Sequence, residues 1–352
     1  MNKKKIDPKK YAFLLLLLFC SCGSPRIDER YAASIVKDNM ALICHVTAEK
    51  LSGGLSGAQL FTVTAADKKY VVRFLTHKTP EKREREMRSL QVASDNGYGP
   101  HIYSMDEKNG VIVMEYLSGQ PITHEMRCSD ELYRMLGVLL RKMHSGPPLQ
   151  KNTDVFDRRR LHEIQEVYGK AIPFATIETE LTTIQKAVAP HITSAPCHID
   201  LNPNNLIFLG NEFKAIDYET SAQANPYFDV ATVSFFYCLH QHYDDVLLAS
   251  YLGRQPTSSE KAQLYLMKQV AFINYALIFL KLAHKKIKAT SLYQTLQVPS
   301  SYEAFLKEWP QEGGALDKPE FQLKYAKVLI SQIIANASSQ EFCDAIATLE
   351  KR

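Results

Sequence analysis

Paired cysteines are lacking in this sequence. Its seven cysteines include no Cys-x-x-Cys pair, and none stands at a metal-ligand spacing from a histidine. Cys20 and Cys22 lie in the N-terminal apolar segment, and the other five are scattered through apolar stretches. An odd number of scattered thiols favours reduced, buried cysteines over a disulfide scaffold or a zinc site.

An excess of positive charge is also lacking from the body of the chain. The formal net charge is +4, but the lysine-rich first ten residues account for all of it. Nucleic-acid binding needs clustered positive charge on the folded domain, so no nucleic-acid partner is expected. With 352 residues and 45% hydrophobic content, the chain is long enough for two lobes with cores of their own.

The N-terminal hydrophobic run is short. Tyr11 to Phe19 falls well below the roughly 20 residues that span a bilayer as a helix and follows a lysine-rich start. Ser21-Cys22 resembles a lipoprotein cleavage site, so we expect residues 1–22 to be an export signal with possible membrane anchoring through an acylated Cys22. An uncleaved membrane-associated segment, or a start at Met40, is the alternative. The reduced thiols argue against export of the remainder.

A P-loop ending of Gly-Lys-Ser/Thr is absent from the glycine-rich stretch Leu51 to Ala58. Its Gly53, Gly54 and Ser56 predict a turn that approaches phosphates closely, although an ordinary hairpin loop has the same composition. A strand is predicted next, over 69–75.

Arg73 is a cation within that apolar strand, and its burial requires a carboxylate or a phosphate as partner. Capping signals predict a helix over 80–96. Glu86, at the edge of the apolar stripe of this helix, is the proposed partner of Arg73. The alternative is that Glu86 is one charge of a solvated run.

The apolar run Val111 to Leu117 predicts a strand that ends at a turn. The backbone near Glu115 and Leu117 is therefore placed to meet a flat base, or forms a sheet edge. From Ser129 onward the pattern is helical. We expect helices over about 154–170 and 175–189, then an apolar helix from Asn225 to about His242, and amphipathic helices from Ser258 to the end, the last of them over 320–352.

The central stretch Cys197 to Glu219 concentrates the polar chemistry. Asp200, Asn205 and Asp217 are the groups that phosphoryl transfer uses, a carboxylate for the acceptor hydroxyl and two oxygen ligands for magnesium. Two apolar runs around Gly210-Asn211 predict a hairpin. Such a hairpin brings Asn205 and Asp217 to the same end of its strands.

Several nearby residues are interpreted as structural. Asp229 either caps the helix after Asn225 or braces the central loop, and His144 is expected to be structural. The cluster from His240 to Asp245 is interpreted as a solvated polar patch at a helix end, with a metal site as the alternative.

Taken together, these segments resemble the choline/ethanolamine kinase and aminoglycoside phosphotransferase family, a small-molecule branch of the protein-kinase-like fold. The matching segments in chain order are Leu51 to Ser56, Tyr70 to Arg73, Gly99-Pro100, Met114 to Tyr116, His198-x-Asp200-x-x-Pro203-x-Asn205, Ile216 to Glu219 and Asp229 to Ala231. The resemblance implies an α+β, two-lobed fold. Residues 23–117 would form a small antiparallel-sheet lobe with one helix that binds nucleotide, and residues 118–352 a mainly helical catalytic and acceptor-binding lobe.

The resemblance also implies residue roles, with ATP and Mg²⁺ as cofactors. Asp200 would be the base, Asn205 and Asp217 the metal ligands, and Glu219 a contact for a cationic substrate. His198 and Asp229 would brace the loop. The nucleotide would be held by Gly53, Gly54, Ser56, Arg73 with Glu86, and the hinge from Glu115 to Leu117. ATP use favours a cytoplasmic catalytic domain, against the signal-like start, so the localisation stays open.

The implied activity is transfer of the γ-phosphate of ATP to a small-molecule hydroxyl, and choline or ethanolamine is the favoured acceptor. Arginine at position 73, where many relatives have lysine, is typical of choline-kinase-like members. The single tryptophan, Trp309, departs from relatives that enclose a quaternary ammonium with tryptophans. Substitutes for them would be Phe235, Phe236, Tyr237, Phe272 and Tyr275. Alternatives are an aminoglycoside, another sugar or thiamine as acceptor, and an exported lipoprotein that uses the fold for binding. The oligomeric state is not predicted.

Overall fold

The computed structural model describes residues 26–51, 58–238, 240–287, 289–298, 301–308 and 318–351. Cys22, the glycine-rich residues Gly53, Gly54 and Ser56, and Trp309 lie outside these ranges, so the hypotheses about them stay predictions. The described residues form two compact units. The first runs up to Thr79 and also includes Ile102–Tyr116, and the second comprises Pro80–His101 together with the described chain from Leu117 onward.

The first unit is built on an antiparallel five-stranded sheet with the strand order β1-β2-β3-β5-β4. The strands are β1 Val46–Leu51, β2 Gln59–Ala65, β3 Lys68–Phe74, β4 Ile102–Asp106 and β5 Val111–Glu115. This confirms the predicted antiparallel sheet. Along β3, Tyr70, Val72 and Phe74 join the core, while Arg73 points to the opposite face because side chains alternate along a strand.

Helix α1, Glu29–Asn39, covers the core face of this sheet. Its N-terminus is capped by Asp28, whose carboxylate accepts a hydrogen bond of 2.9 Å from the Tyr31 N–H. Ala32 and Val36 are fully buried against the sheet.

The second unit begins with helix α2, Pro80–Asp95, which confirms the predicted helix over 80–96. Gly97 follows with φ of +72°, a conformation that glycine adopts without strain. Helix α2 packs against the short 3₁₀ turn Tyr218–Thr220, and Tyr98 accepts the Ala215 N–H through its carbonyl at 2.8 Å. The segment from 80 to 101 is thereby tied to the stretch that carries Asp217.

The rest of this unit is mainly helical, with short paired strands around the candidate site. Its helices are α3 His124–Arg127, α4 Asp130–His144, α5 Arg159–Tyr168, α6 Phe174–Val188, α7 Tyr227–Tyr237, α8 Gln241–Leu252, α9 Ser258–His284, α10 Ala289–Thr295, α11 Tyr302–Glu308, α12 Pro319–Ala337 and α13 Gln340–Glu350. Its strands are β6 Ala195–Cys197, β7 Leu206–Phe208, β8 Phe213–Ala215 and β9 Ala222–Ala224. Strand β6 pairs with β9, and β7 pairs with β8.

Helix α9 is the central helix of the second unit. It starts at a capping box in which Thr257 and Glu260 satisfy each other's backbone N–H groups, and it packs against α7, α12 and α13. Within the described ranges it is the one helix long and apolar enough to cross a membrane, and 72% of its most apolar window is buried inside the protein. Helices that are apolar on all sides commonly form the core of a large domain.

Three predicted helix boundaries were wrong. The helix expected over about 154–170 begins only at Arg159, because the preceding residues form a turn in which Asp154 accepts the Phe156 N–H. The helix expected to reach about His242 ends at Tyr237, and α8 starts at Gln241. The last predicted segment is two helices, since Ser339 caps a new one.

The polar cluster after Cys238 also differs from expectation. Asp244 is buried, with Lys268 at 2.7 Å and a hydrogen bond from the Ser234 hydroxyl, so it is a core ion pair and not part of a solvated patch. Its neighbours pair separately, His242 with Asp130 and Asp245 with Lys261. The five cysteines of the described ranges are free thiols, as the sequence predicts, but the expected burial was wrong for three of them. Cys197 and Cys238 are buried, whereas Cys44 is partly exposed and Cys128 and Cys343 are exposed.

Glu180 is a buried carboxyl without a counter-ion in the described part of the chain. It lies on α6 with 4% of its surface exposed, and neither carboxylate oxygen has a hydrogen-bond partner there. Burial raises the pKa of Glu180 from 4.5 to about 8. The native state therefore keeps this proton at neutral pH, whereas the unfolded chain releases it.

Glu180→Gln should remove a pH-dependent loss of stability. Because the pKa of Glu180 is raised in the native state, the contribution of Glu180 to the free energy of unfolding of the wild type is intact below about pH 4.5. This contribution falls as the pH rises towards 8. We expect the free energy of unfolding of the variant, relative to wild type, to rise by about 2 to 4 kcal/mol between pH 5 and pH 8. Urea denaturation at several pH values measures this. Glu166→Gln, at an exposed site on α5, is the control, and equal pH profiles for Glu180→Gln and wild type would contradict the prediction.

Candidate active site

Asp200 lies in the loop between β6 and β7, and three side chains donate hydrogen bonds to it. Its Oδ1 accepts from the Tyr275 hydroxyl at 2.9 Å and from the Asn202 amide at 3.0 Å, and its Oδ2 accepts from the Asn205 amide at 3.2 Å. Donors on both oxygens fix the plane of the carboxylate. From the described residues Oδ2 receives a single donor, so this oxygen keeps a lone pair for a further hydroxyl.

The predicted hairpin is present and brings Asn205 and Asp217 to one end. Strands β7 and β8 pair in antiparallel register, and the Ile216 N–H donates to the Asn205 carbonyl at 2.9 Å. The Asn205 amide nitrogen donates to the backbone carbonyl of Asp200 at 2.8 Å as well as to its carboxylate. Since both partners are acceptors, the amide nitrogen must face them, and the amide oxygen is the atom left for a cation.

The backbone is strained on both sides of this arrangement. Ile199 has φ of +72° and Asp217 has φ of +66°, a left-handed conformation that costs a β-branched residue in particular. The Ile199 N–H is held by a hydrogen bond of 2.8 Å to the Asp229 carboxylate. No sequence signal identifies these two strained positions, because glycine is absent from both.

Asp229 anchors the loop from beneath. It is fully buried on α7 and accepts the His198 N–H at 2.6 Å, the Ile199 N–H at 2.8 Å and the His144 Nε2 at 3.2 Å. The sequence left two roles open for Asp229, a cap of the helix after Asn225 or a brace of the central loop. These contacts correspond to the brace, since the cap position of α7 is Pro226.

His198 is fixed through both ring nitrogens. Its Nε2 lies 2.9 Å from the Ile216 carbonyl, and its Nδ1 accepts the Asp200 N–H at 3.3 Å. The Thr220 hydroxyl donates to its carbonyl at 2.9 Å. A ring held between a backbone acceptor and a backbone donor has no nitrogen left for proton transfer, which agrees with a bracing role.

His144, Cys197 and Asp229 place three potential metal ligands within 4.8 Å of one another. Burial raises the pKa of the Cys197 thiol, and the negative charge of Asp229 adds to this. The thiol donates to the carbonyls of Ala195 and Ala224. A protonated thiol beside a carboxylate that already accepts three hydrogen bonds is a structural cluster, because metal binding requires the thiolate.

The predicted nucleotide residues are distributed over both units. Arg73 on β3 and Glu115 at the end of β5 belong to the first unit, whereas Glu86 on α2 and Leu117 belong to the second. Arg73 and Glu86 are buried, with 6% and 3% of their surfaces exposed. The proposed pairing of Arg73 with Glu86 stays a prediction.

Glu219 lies exposed in the 3₁₀ turn Tyr218–Thr220, against α2. The half-buried Lys151 has its pKa lowered by burial and by the charge of Arg85, and raised by that of Glu219. Glu219 therefore already lies in a positively charged environment within this unit, and its role with a cationic substrate stays a prediction.

The five aromatic residues considered for binding an ammonium group are buried. Phe235 contacts Phe272 and Tyr275 with ring centroids 5.1 and 5.5 Å apart, and accepts the Tyr302 hydroxyl through its carbonyl. Phe235, Phe236, Phe272 and Tyr275 belong to the core between α7, α9, α11 and α12, whereas the Tyr237 ring lies against the Arg127 guanidinium. Tyr275 reaches the candidate site from this core through its hydroxyl, a contact that its position in the sequence does not indicate.

A model of the phosphotransferase enzyme family (APH) matches residues 47–264, which include the whole loop from Asp200 to Asp217. The chain belongs to this phosphotransferase family. A comparison of this chain with curated protein sequences found no significant match.

Solved structures confirm the protein-kinase-like fold. A choline/ethanolamine kinase family protein from Mesorhizobium loti matches with a TM-score of 0.66 and 19% identity, over 92% of this chain and 99% of that one. A choline kinase from Streptococcus pneumoniae matches with a TM-score of 0.54 and 19% identity, over 73% and 92%. A spectinomycin phosphotransferase in complex with ADP and spectinomycin matches with a TM-score of 0.55 and 14% identity, over 87% and 99%.

Asp229→Asn should destabilise the phosphotransferase strongly. The amide would turn an N–H₂ group towards backbone N–H donors and leave buried groups unsatisfied, at a cost of about 2 to 4 kcal/mol. Urea denaturation measures the change. Asp245→Asn removes an exposed partner of Lys261 and should cost about 0.5 kcal/mol or less, so similar losses in the two variants would refute the anchoring role.

Proposed function

We propose that this phosphotransferase is an ATP- and Mg²⁺-dependent kinase of a small hydroxyl compound. The observation that supports this most is the arrangement of Asp200 and Asn205. Asp200 keeps a lone pair on Oδ2, and Asn205 turns its amide oxygen away from Asp200. The two groups serve different partners, one a hydroxyl proton and the other a cation.

Asp200 orients the acceptor hydroxyl and receives its proton. Three donors hold the carboxylate in one plane, so the approach of a hydroxyl to Oδ2 is fixed before the substrate binds. This is the positioning on which phosphoryl transfer depends, since the reacting phosphoryl group needs little covalent help from the protein.

The donor set fits magnesium. Asn205 offers an amide oxygen and Asp217 a carboxylate, and hard cations prefer oxygen ligands of these kinds. When bound, Mg²⁺ neutralises phosphate charge during transfer. The left-handed backbone of Asp217 and the hydrogen bond from Ile216 to the Asn205 carbonyl hold the two residues at the hairpin end.

ATP is the proposed phosphate donor, with Arg73, Glu86 and the hinge from Glu115 to Leu117 as its binding residues. Support comes from the family match and from similar structures that were solved in complex with AMP or ADP. Arg73 would bind phosphate, because its buried guanidinium lies on the face of β3 opposite the core cluster.

Choline and ethanolamine are the first acceptors to consider. Two of the similar structures are a choline/ethanolamine kinase family protein and a choline kinase, and Glu219 offers a carboxylate for a cationic head. The spectinomycin phosphotransferase among the neighbours keeps aminoglycosides as the alternative.

Asp200→Asn should lower acceptor-dependent ADP formation by at least about 100-fold, because the amide cannot accept the hydroxyl proton. The assay couples ADP release to NADH oxidation with Mg²⁺-ATP and choline, ethanolamine, thiamine or an aminoglycoside. Chelation of Mg²⁺ should abolish the signal. Asp245→Asn is the control, and a fully active Asp200→Asn variant would rule out the proposed role of Asp200.

Tyr275→Phe should lower kcat by about 5- to 13-fold and leave the KM for ATP within about 2-fold. It removes one of three hydrogen bonds that orient Asp200, a loss of about 1 to 1.5 kcal/mol. Tyr325→Phe removes a hydroxyl from the same aromatic core, where it contacts Tyr302 at 3.0 Å, and is the matched control. Equal effects of the two variants on kcat would show that Tyr275 acts through core packing alone.

A further inference from the structure

Arg160 is the last of three consecutive arginines at the start of α5. The two arginines before it are engaged elsewhere. Arg158 donates to the side chains of Thr182 and Gln185 on α6, and Arg159 is exposed and pairs with Asp157. Arg160 is half-buried, and its guanidinium makes no hydrogen bond or ion pair with any residue in the described part of the chain.

The packing of α5 on α9 brings Arg160 towards the candidate site. Asn274 donates to the Val155 carbonyl at 3.1 Å, and the Tyr168 hydroxyl donates to the Leu280 carbonyl at 3.1 Å. The start of α5 therefore lies beside the turn of α9 that carries Tyr275, whose hydroxyl reaches Asp200.

The electrostatics of Arg160 agree with this placement. Burial lowers the pKa of its guanidinium, and the carboxylates of Glu163, Asp157 and Asp200 raise it. Glu163 already pairs with Lys281, and Asp157 with Arg159. The remaining carboxylate, Asp200, accepts from three other side chains and makes no hydrogen bond with Arg160, so no contact with the described residues neutralises the positive charge of Arg160.

Arg160 and Asn205 belong to different elements, since Arg160 lies on α5 and Asn205 directly precedes β7. Asn205 donates to Oδ2 and belongs to the metal end of the hairpin. Arg160 interacts electrostatically with Tyr275, the donor to Oδ1. Arg160 therefore comes to the surroundings of Asp200 from the helix that packs on α9, and not from the hairpin that carries the proposed metal ligands.

We propose that Arg160 binds a carboxylate of the acceptor, so that the substrate is a hydroxyl compound that also carries a carboxylate group. Guanidinium and carboxylate form two parallel charge-assisted hydrogen bonds, and such a ligand supplies the partner that Arg160 lacks within the described residues. This inference rests on the proposed kinase function and narrows its acceptor class. Choline and ethanolamine then represent the amino-alcohol part of the substrate without its acid group.

The test compares hydroxyl compounds that differ by a carboxylate. The pairs are ethanolamine with serine, choline with carnitine, and glycerol with glycerate, each assayed by ADP release from Mg²⁺-ATP with the full chain. We expect kcat/KM to be at least about 10-fold higher for the carboxylate member of at least one pair. In Arg160→Gln the ratio of kcat/KM between the two members of that pair should fall to about 1, mainly through a higher KM for the carboxylate member. Arg160→Lys should give an intermediate ratio, because lysine keeps the positive charge but lacks the planar guanidinium that binds a carboxylate through two hydrogen bonds.

Arg159→Gln is the matched control, since it removes the exposed neighbouring arginine and should keep the wild-type ratio. Binding provides a readout that does not need turnover. Serine, carnitine or glycerate should raise the melting temperature of the wild type and of Asp200→Asn, and not that of Arg160→Gln. The melting temperature of unliganded Arg160→Gln verifies that it is folded.

The outcomes separate the two proposals. Two results overturn the carboxylate site while the kinase function stands. One is a higher kcat/KM for ethanolamine, choline and glycerol than for their carboxylate counterparts, and the other is a kcat/KM ratio within the pairs that Arg160→Gln leaves unchanged. A preference for glycerol 3-phosphate over glycerate assigns a phosphate in place of the carboxylate and also overturns it. Carboxylate-dependent stabilisation that needs Arg160, without Mg²⁺-dependent ATP turnover, overturns the kinase function and keeps the binding site.

Discussion

The contacts of the Asp229 carboxylate are the constraint on which the candidate site depends. This fully buried group accepts the N–H groups of two successive loop residues, His198 and Ile199, and the Nε2 of His144. One of those residues has a strained left-handed backbone, so the loop adopts this form only while the carboxylate holds it. Asp200 follows directly, and its direction is therefore set from the core of the second unit.

A second set of contacts fixes the side chain of Asp200 from α9. Tyr275 extends from an aromatic core of four helices and donates to Oδ1, while Asn205 donates to Oδ2 from the hairpin. The Asp200 carboxylate is thus held between a rigid core helix and the proposed metal ligands. Packing in the aromatic core and positioning at the site are linked through this one hydroxyl.

Much of the local structure could be predicted from the sequence. The β7–β8 hairpin follows from two apolar runs around Gly210-Asn211, and helix α2 from its capping residues. The failures share a cause, since helix ends depend on tertiary contacts that compete with local propensity. The helix after Asn225 stops at Tyr237 within a continuous apolar pattern, and Asp244 is buried because Lys268 on another helix neutralises it.

The sequence by itself determined the family, the two-lobed α+β fold and the loop that carries Asp200, Asn205 and Asp217, because these depend on residue types at short spacings. Tertiary structure decided which distant side chains complete the site. Asp229 was already a candidate brace from the sequence, but Tyr275 and Arg160 lie tens of residues from Asp200, and no periodicity relates them to it. Their placement arises only when α5, α7 and α9 pack around the loop, since burial and hydrogen bonding depend on neighbours in space and not on neighbours in sequence.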